Sequence, residues 1–462
     1  MTRLFLRLCL VMVAVNLIEV SLVEAGPFRR YPRGSARSQY TRIADNNPAS
    51  AGGALGATES GLPPMPRGED VADIPDPTGD NSPYMQALER PAGCCGVAEE
   101  VAENGLAEWW ESMHGGDGIY FEYVYTGEYF TNTRGGIKTG SEYEGNLDIV
   151  MTLELEELGL ELGGTFFFYA QNSHGRALTE NYVGDFQTYS NIDAPDFTQV
   201  SEFWYERDVI EDFMAVRIGK QDANAEFAVV DLAGDFIQSS FGFSPTIPMP
   251  SFPVPTMSVV TFWQLSDTLQ FKTGVFDGGS ILDEWGFSKE GHAFSIFELK
   301  STHEVGGLPG DLHAGIWYHG GVFDQLSTGG TIKGNHGVYF GADQLIWKEA
   351  PWDEESDQGI GVFAQYSWVP QDRNELRWHL GGGVVYKGPI DCRDDDVLGL
   401  GYSRVEYGRH AAGQSAETVI ELFYKAPIDD RLTLQPDLQY IGHPSGMLRD
   451  ALVVGLRFEL AL

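Results

Sequence analysis

The chain has 462 residues, 42% of them hydrophobic and 12% aromatic, enough material for one large domain or two ordinary ones. Its 67 acidic and 30 basic side chains give a formal net charge of -37, a field that repels phosphate backbones and argues against a nucleic-acid partner. No interior apolar run of about 18 residues marks a membrane helix, which leaves strands that alternate between lipid and water as the remaining way to cross a bilayer.

Residues 1–25 set Arg3 and Arg7 before an apolar stretch over 8–23 and end in Val23-Glu24-Ala25, the pattern of a secretory signal. A membrane anchor helix is the alternative, and Asn16 and Glu19 interrupt it. Cys9 has no small-residue lipobox before it, which disfavours lipid anchoring. Residues 26–103 are rich in Pro, Gly, Ser, Asn and Asp, basic at first (Arg29, Arg30, Arg33, Arg37, Arg42) and then acidic (Glu69, Asp70, Asp73, Asp76, Asp80). They read as a disordered linker. Cys94, Cys95 and Cys392 are too few for a disulfide framework, and Cys94 and Cys95 read as ordinary thiols or as an exposed bond to another chain.

The remaining domain, 104–462, opens on a short helical candidate over 106–113 (LAEWWESM). From there apolar residues recur at every second position, the period of a strand with two unlike faces. Leu147, Ile149, Met151, Leu153 and Leu155 alternate with Asp148, Thr152 and Glu154. Leu432, Leu434, Pro436, Leu438 and Tyr440 alternate with Thr433, Gln435, Asp437 and Gln439. Val454, Leu456, Phe458, Leu460 and Leu462 alternate with Gly455, Arg457, Glu459 and Ala461. A soluble sandwich would alternate too. Length separates the two readings: about sixteen such segments follow Ile119, many of them long enough, at roughly 9–11 residues, to cross the hydrocarbon of a bilayer when tilted.

Connections alternate in length through most of this region. Short ones fall near Glu156-Glu157 and over 207–211, 266–268 and 427–430; long ones cover 170–199, 221–255 and 277–292. An up-and-down barrel with turns at one rim and loops at the other produces this pattern, which weakens between Val369 and Asp396. Aromatic clusters at Trp109-Trp110, Phe203-Trp204-Tyr205, Trp317-Tyr318, Trp347 with Trp352, and Trp368 suit girdles at the two water interfaces. In a soluble protein they would be core or sugar-stacking groups. Glycine, at 56 residues, exceeds the usual share, and runs such as Gly163-Gly164 and Gly381-Gly382-Gly383 permit bends or close approach of chains.

Several stretches together resemble the carbohydrate-selective porins, the OprB-like family of Gram-negative outer membranes. They are WWESMHGGDGIYFEYVYTGEYFTNTRGG from Trp109, VRIGKQDANAEFA from Val216, GIGVFAQYSWVPQDRNELRWHLGGGVVYKG from Gly359, DDVLGLGYSRVEY from Asp395 and ETVIELFYKAPIDDRLTLQPDLQYIGHPSG from Glu417. The most specific is LQPDLQYIGHPSG, 434–446; GKQD, 219–222, is suggestive. The resemblance implies an all-β transmembrane antiparallel barrel of about sixteen strands, inserted by the outer-membrane assembly machinery, that passes sugars by diffusion. It places the linker and the C-terminus in the periplasm and makes outer-membrane lipids and sugar solutes the partners, with a homo-oligomer left open. No cofactor is implied. Leu462 departs from the terminal aromatic residue common in outer-membrane proteins, and the long linker is outside the usual family pattern.

In such a pore, side chains on the lumen face and on an infolded loop set size and charge preference. The connection over 221–255 is the candidate loop. It carries Asp222, Glu226, Asp231, Asp235 and Gln238 with Phe227, Phe236, Phe241 and Phe243, then Pro245, Pro248, Pro250, Pro253 and Pro255. By strand phase the other lumen candidates are Arg217, Glu421, Asp437, Gln439, Arg457 and Glu459, with Lys220 from the GKQD motif; the plainer role for each is to keep the wall wet. The charge excess favours neutral sugars over sugar phosphates.

An enzyme would need a convergent site, and there is no GxSxG, P-loop or HExxH. With 67 acids some close carboxylate pair is inevitable, so glycosidase chemistry has no specific signal. Asp394-Asp395-Asp396 lacks the spacing of a calcium loop and reads as a solvated turn. The rival readings are a general or cation-preferring diffusion pore and a secreted soluble sugar-binding β-protein.

Overall fold

The computed structural model describes residues 115–462 apart from 117, 280–284, 287–291, 353–355 and 412–414. The proposed signal, the linker, the helix candidate, Trp109-Trp110 and the Cys94-Cys95 pair lie outside the described residues. The strands are β1 (Gly115–Gly116), β2 (Ile119–Gly136), β3 (Gly140–Glu154), β4 (Thr165–Gly175), β5 (Phe197–Ile210), β6 (Met214–Gln221), β7 (Thr256–Ser266), β8 (Leu269–Asp277) and β9 (Ala293–Val305). They continue as β10 (Leu308–Gln325), β11 (Gly330–Lys348), β12 (Gly359–Trp368), β13 (Leu376–Lys387), β14 (Val397–Tyr407), β15 (Ala416–Pro427), β16 (Leu432–Gly442) and β17 (Arg449–Ala461). Each of β2 to β17 pairs antiparallel with its neighbour in sequence, and β17 pairs with β2 through Val454↔Thr131 and Phe458↔Gly127. That last ladder closes a barrel of sixteen strands with no free edge.

The alternation in sequence becomes the two faces of this wall. Leu398, Leu400, Ile420, Leu422, Leu438, Val454 and Leu456 are exposed on the outside, while Ser403, Glu421, Gln435, Asp437, Gln439 and Arg457 are buried inside. The phases expected for the segments in β3, β16 and β17 are those observed. Because a polar backbone group left unpaired in hydrocarbon costs several kcal/mol, a closed ladder with an oily coat is one of the two structures a bilayer tolerates. No described helix is long and apolar enough to cross a membrane.

Several expectations need correction. The turn placed at 207–211 is strand: β5 continues to Ile210, and the chain reverses only where Asp212 takes a left-handed conformation at φ 57°. Two of the expected girdle residues point inward. Trp204 stacks on Phe167 at 4.7 Å and Trp317 stacks on Phe294 at 5.9 Å, both inside the barrel. Trp347, Trp368 and Phe203 do face outward and are exposed, and Trp352 is exposed on the connection after β11. Clustering near a strand end located these rings, but strand phase decides which side they occupy.

The rim that carries the chain end has tight turns between β5 and β6, β7 and β8, and β9 and β10. The opposite rim carries the long connections 176–196 and 222–255, yet its β2–β3 turn, 137–139, is also tight. The length pattern inverts at β12–β14, where the loop-rim connection is 369–375 and the opposite one is the longer 388–396.

Leu400 and Leu422 face each other across β14 and β15 near the strand centres, exposed on the outer wall. Leu422→Arg should destabilise the barrel in phospholipid vesicles by about 2–4 kcal/mol, read from urea unfolding. Stability equal to the parent would mean that this face does not meet hydrocarbon.

Candidate functional site

Two long connections fold back into the barrel and narrow it. The longer, 222–255, is held by wall carboxylates that capture its backbone. Glu298 accepts the Ala228 N–H at 2.7 Å, Asp343 accepts those of Asp231 and Leu232 at 2.8 Å each, and Glu421 accepts those of Ile237 and Gln238 at 2.7 and 3.1 Å. The three acids stand on β9, β11 and β15, so the loop is pinned along a large part of the circumference. The Gln365 amide adds bonds to the Ser240 and Phe241 carbonyls, each at 2.9 Å. Carboxylates suit this task because each offers two acceptor oxygens, enough to take the N–H groups of two successive residues.

The loop also buries oil against the inner wall. Phe236 and Phe241 lie 4.5 Å apart in a cluster with Phe363 and Phe423; Phe227 packs on Phe276 in a second cluster with Phe294 and Trp317. Each such side chain contributes roughly 1.5–3 kcal/mol when fully buried. The inner face is therefore not uniformly polar: apolar residues lie where the longer loop docks, and Val150, Phe167, Tyr169 and Trp204 form a further cluster on β3 to β5. The glycine excess finds part of its explanation here. A Cβ at Gly401 would lie 2.5 Å from the Phe236 ring and 2.6 Å from the Phe241 ring, so only glycine leaves the wall flat enough to seat both.

The shorter loop, 176–196, also turns inward. The Gln439 amide donates to the Tyr189 carbonyl at 2.8 Å, and Arg457 donates to Ser190 and Asn191 at 3.1 and 2.7 Å. Glu417 accepts the Phe186 and Gln187 N–H groups at 2.8 and 2.9 Å. The two loops then bind each other. Asn191 N–H donates to the Ile237 carbonyl at 2.8 Å, and the Gln238 amide donates to the Gln187 carbonyl at 2.9 Å. Nothing in the sequence distinguished this loop from an ordinary surface connection.

The strand-borne candidates point inward except Lys220. It stands opposite outward-facing Phe203 on β5 and beneath Trp285 on the outer face, because strand phase turns it away from inward Arg217. Most of the others are engaged in bracing. Arg217, only 1% exposed, is clamped between Glu206 and Glu226 at 2.8 Å each and lies over the Trp204 ring at 4.0 Å. Lys220 donates to the Val200 carbonyl at 2.8 Å; Arg457 pairs with Glu128 at 2.9 Å; Asp437 accepts from Gln439 at 3.0 Å. Asp222 caps the loop base by accepting from Asn224 N–H, Ser251 and Phe252 N–H, and burial pushes its carboxyl up from the usual range. Gln238 and Glu421 are fully buried with the loop backbone.

Two clusters of mixed sign include the groups that keep water contact, although Lys425 itself is buried. Lys300 lies 3.4 Å from Asp231 and 3.7 Å from Asp311; Lys425 lies 3.0 Å from Asp235 and 3.9 Å from Glu459. The Asp231 and Asp235 side chains retain 35% and 33% of their exposure. Lys300, Lys425, Glu298, Asp343 and Asp311 were not singled out from the sequence. Their inward strand phase was the available signal.

Comparison with known proteins agrees with this geometry. The model of the carbohydrate-selective porin, OprB family, matches residues 138–462. Porin B of Pseudomonas aeruginosa is 23% identical over 403 residues, covering 74% of this chain and 87% of the relative. Among solved structures, the high-pH structure of Pseudomonas putida OprB has a TM-score of 0.68 at 20% identity and covers 77% of this chain and 96% of its own. The low-pH structure of the same protein has a TM-score of 0.52 at 18% identity, with 78% and 96% covered.

Gly401→Leu should lift the Phe236–Phe241 pair from the wall. Brief chymotrypsin treatment of the folded protein should then cut within 236–243 in the variant and not in the parent; equal resistance would show that the seat does not hold the loop. In the shorter loop, burial, aided by the Glu128 charge, pushes the Asp193 carboxyl up to about 6, against hydrogen bonds from Thr179 that lower it. The ordinary value is about 3.9, so between about pH 4 and pH 6 the docked form binds more protons than the undocked one. Docking support is then full below about pH 4 and lost as pH rises through about 6. Protection factors over 176–196, which divide out the intrinsic pH dependence of amide exchange, should be larger at pH 5 than at pH 7.5, and Asp193→Asn should flatten the difference; a difference in protection that survives in Asp193→Asn would assign it to another group.

Proposed function

This chain belongs to the carbohydrate-selective porin (OprB) family and is an outer-membrane carbohydrate channel, and we propose that it passes neutral sugars by diffusion across a constriction lined by Asp231, Lys300 and Asp311 on one side and Asp235, Lys425 and Glu459 on the other. The observation that carries this reading is the pinning of 222–255 across the bore by Glu298, Asp343 and Glu421, which brings Asp231 and Asp235 towards lysines on β9 and β15. Carboxylates accept and ammonium groups donate hydrogen bonds to sugar hydroxyls, so a mixed-sign constriction can replace the water that a neutral solute sheds without selecting strongly for one ionic charge. Several weak contacts in series let the solute leave as well as enter.

The rim with the chain end faces the periplasm in this reading, and the rim from which 176–196 and 222–255 descend faces outward. Outer-membrane lipid meets the oily wall, the assembly machinery inserts the barrel, and catalysis has no part in transport. Self-association leaves each barrel with its own complete path, since every group named above comes from one chain.

Purified protein in liposomes should admit glucose faster than a larger oligosaccharide and faster than a sugar phosphate of similar size. Asp231→Ala with Asp235→Ala should change ion selectivity or sugar flux severalfold. No swelling in any monosaccharide would defeat the transport reading. Faster entry of small cations with no preference among neutral solutes would favour a general diffusion pore, and unchanged flux and selectivity in the double variant would remove both aspartates from the constriction.

A further inference from the structure

At the loop rim the two infolded loops meet the 369–375 connection around a cavity of about 290 Å³. Phe186, from the shorter loop, contributes a ring that is 37% exposed. Pro245 and Pro248 of the longer loop, with Leu376 at the start of β13, supply apolar surface, while Arg373 and Glu375 bring a guanidinium and an exposed carboxylate to the same cavity. This volume is just under the roughly 300–1,000 Å³ of sites for drug-sized ligands, a scale that suits one or two sugar rings.

The site is held in shape before any ligand arrives. Phe186 is fixed at its backbone by Glu417 at 2.8 Å, and its ring meets Tyr407 edge-on with centroids 5.9 Å apart. Arg373 is fixed by a two-pronged contact with Asp372, at 3.0 Å through each nitrogen, and by donation from Nη1 to the Gly334 carbonyl at 2.7 Å. The connection itself is tied to neighbouring loops, with Leu326 N–H on the Asp372 carbonyl at 2.8 Å and Gly408 N–H on the Glu375 carbonyl at 2.7 Å. Little ordering entropy would be lost on binding.

We propose that this cavity is a binding subsite for a neutral pyranose, which it captures at the mouth before the constriction. The inference rests on the sugar-channel reading and adds a place to it. A pyranose has one face of C–H groups and an equator of hydroxyls. The Phe186 ring covers the C–H face, the prolines and Leu376 exclude water behind it, the Glu375 carboxylate accepts hydrogen bonds from hydroxyls, and the remaining Arg373 N–H groups donate to them. A carboxylate and a guanidinium in one cavity satisfy a group that both donates and accepts, and the carboxylate disfavours an anionic sugar.

The test is direct binding, which does not depend on passage. Saturation-transfer NMR on the full chain in detergent, titrated with D-glucose, should give a saturable signal in the parent. Phe186→Ala should raise the half-saturation concentration about tenfold, the size expected for losing one aromatic contact, and Glu375→Gln should raise it severalfold. Should Phe186→Ala fail to give the folded, heat-sensitive gel band, Phe186→Leu keeps the apolar bulk without the flat face and should show the same direction of change. Half-saturation unchanged in both Glu375→Gln and the folded Phe186 variant would overturn the subsite. Liposome entry of glucose by the parent, measured separately, reports on the channel reading alone: entry with no effect of these variants sinks the subsite and spares the channel, whereas binding that weakens in the variants without any entry sinks the channel and spares the subsite.

Discussion

The structure depends first on the ladder between β17 and β2. In hydrocarbon a backbone N–H or C=O has no water to fall back on, so an open edge would be left with a row of unpaired groups. Closing the sheet removes that cost and fixes which way every side chain points, because residues along a strand alternate faces. Once Leu456 faces lipid, Arg457 must face the bore.

A polar inner wall would by itself give a wide, unselective tube. The carboxylates Glu298, Asp343 and Glu421 change that by using loop backbone N–H groups as their partners. Main-chain donors are present whatever side chains the loop carries, so the same anchors can hold loops of differing chemistry over the bore. Aromatic side chains of the loop then fill the space above small wall residues such as Gly401, and the second loop locks onto the first through Gln187 and Gln238.

Strand phase made much of this legible in the sequence. The lumen assignment of Arg217, Glu421, Asp437, Gln439, Arg457 and Glu459 followed from alternation, as that of Lys220 did not, and the long connection 221–255 was the candidate for an infolded loop. What alternation cannot convey is which inward residue lies beneath another segment. Trp204 and Trp317 read as interface aromatics because they stand in aromatic clusters, and only the registers of β5 and β10 place them inside. The inward turn of 176–196 depends on Glu417, Gln439 and Arg457, hundreds of residues away along the chain, and no local pattern encodes such a match.

The same distinction bears on how charge in a pore relates to its preference. Arg217 is almost fully enclosed, and an ion removed from water is tolerable only when paired, as it is with Glu206 and Glu226. Breaking one such pair leaves an uncompensated buried charge, so these residues are bound to the folding of the wall and loops and have little freedom to respond to a passing solute. Asp231, Asp235 and Lys300 still touch water, and their fields reach whatever enters the narrow zone. In the proposed constriction, the charge that a solute experiences is set by these half-exposed groups, with the excess of acids on the chain as a screened background beyond a Debye length of about 8 Å. In a bore narrowed by docked loops, solvent contact is what separates the residues proposed to select from those that support.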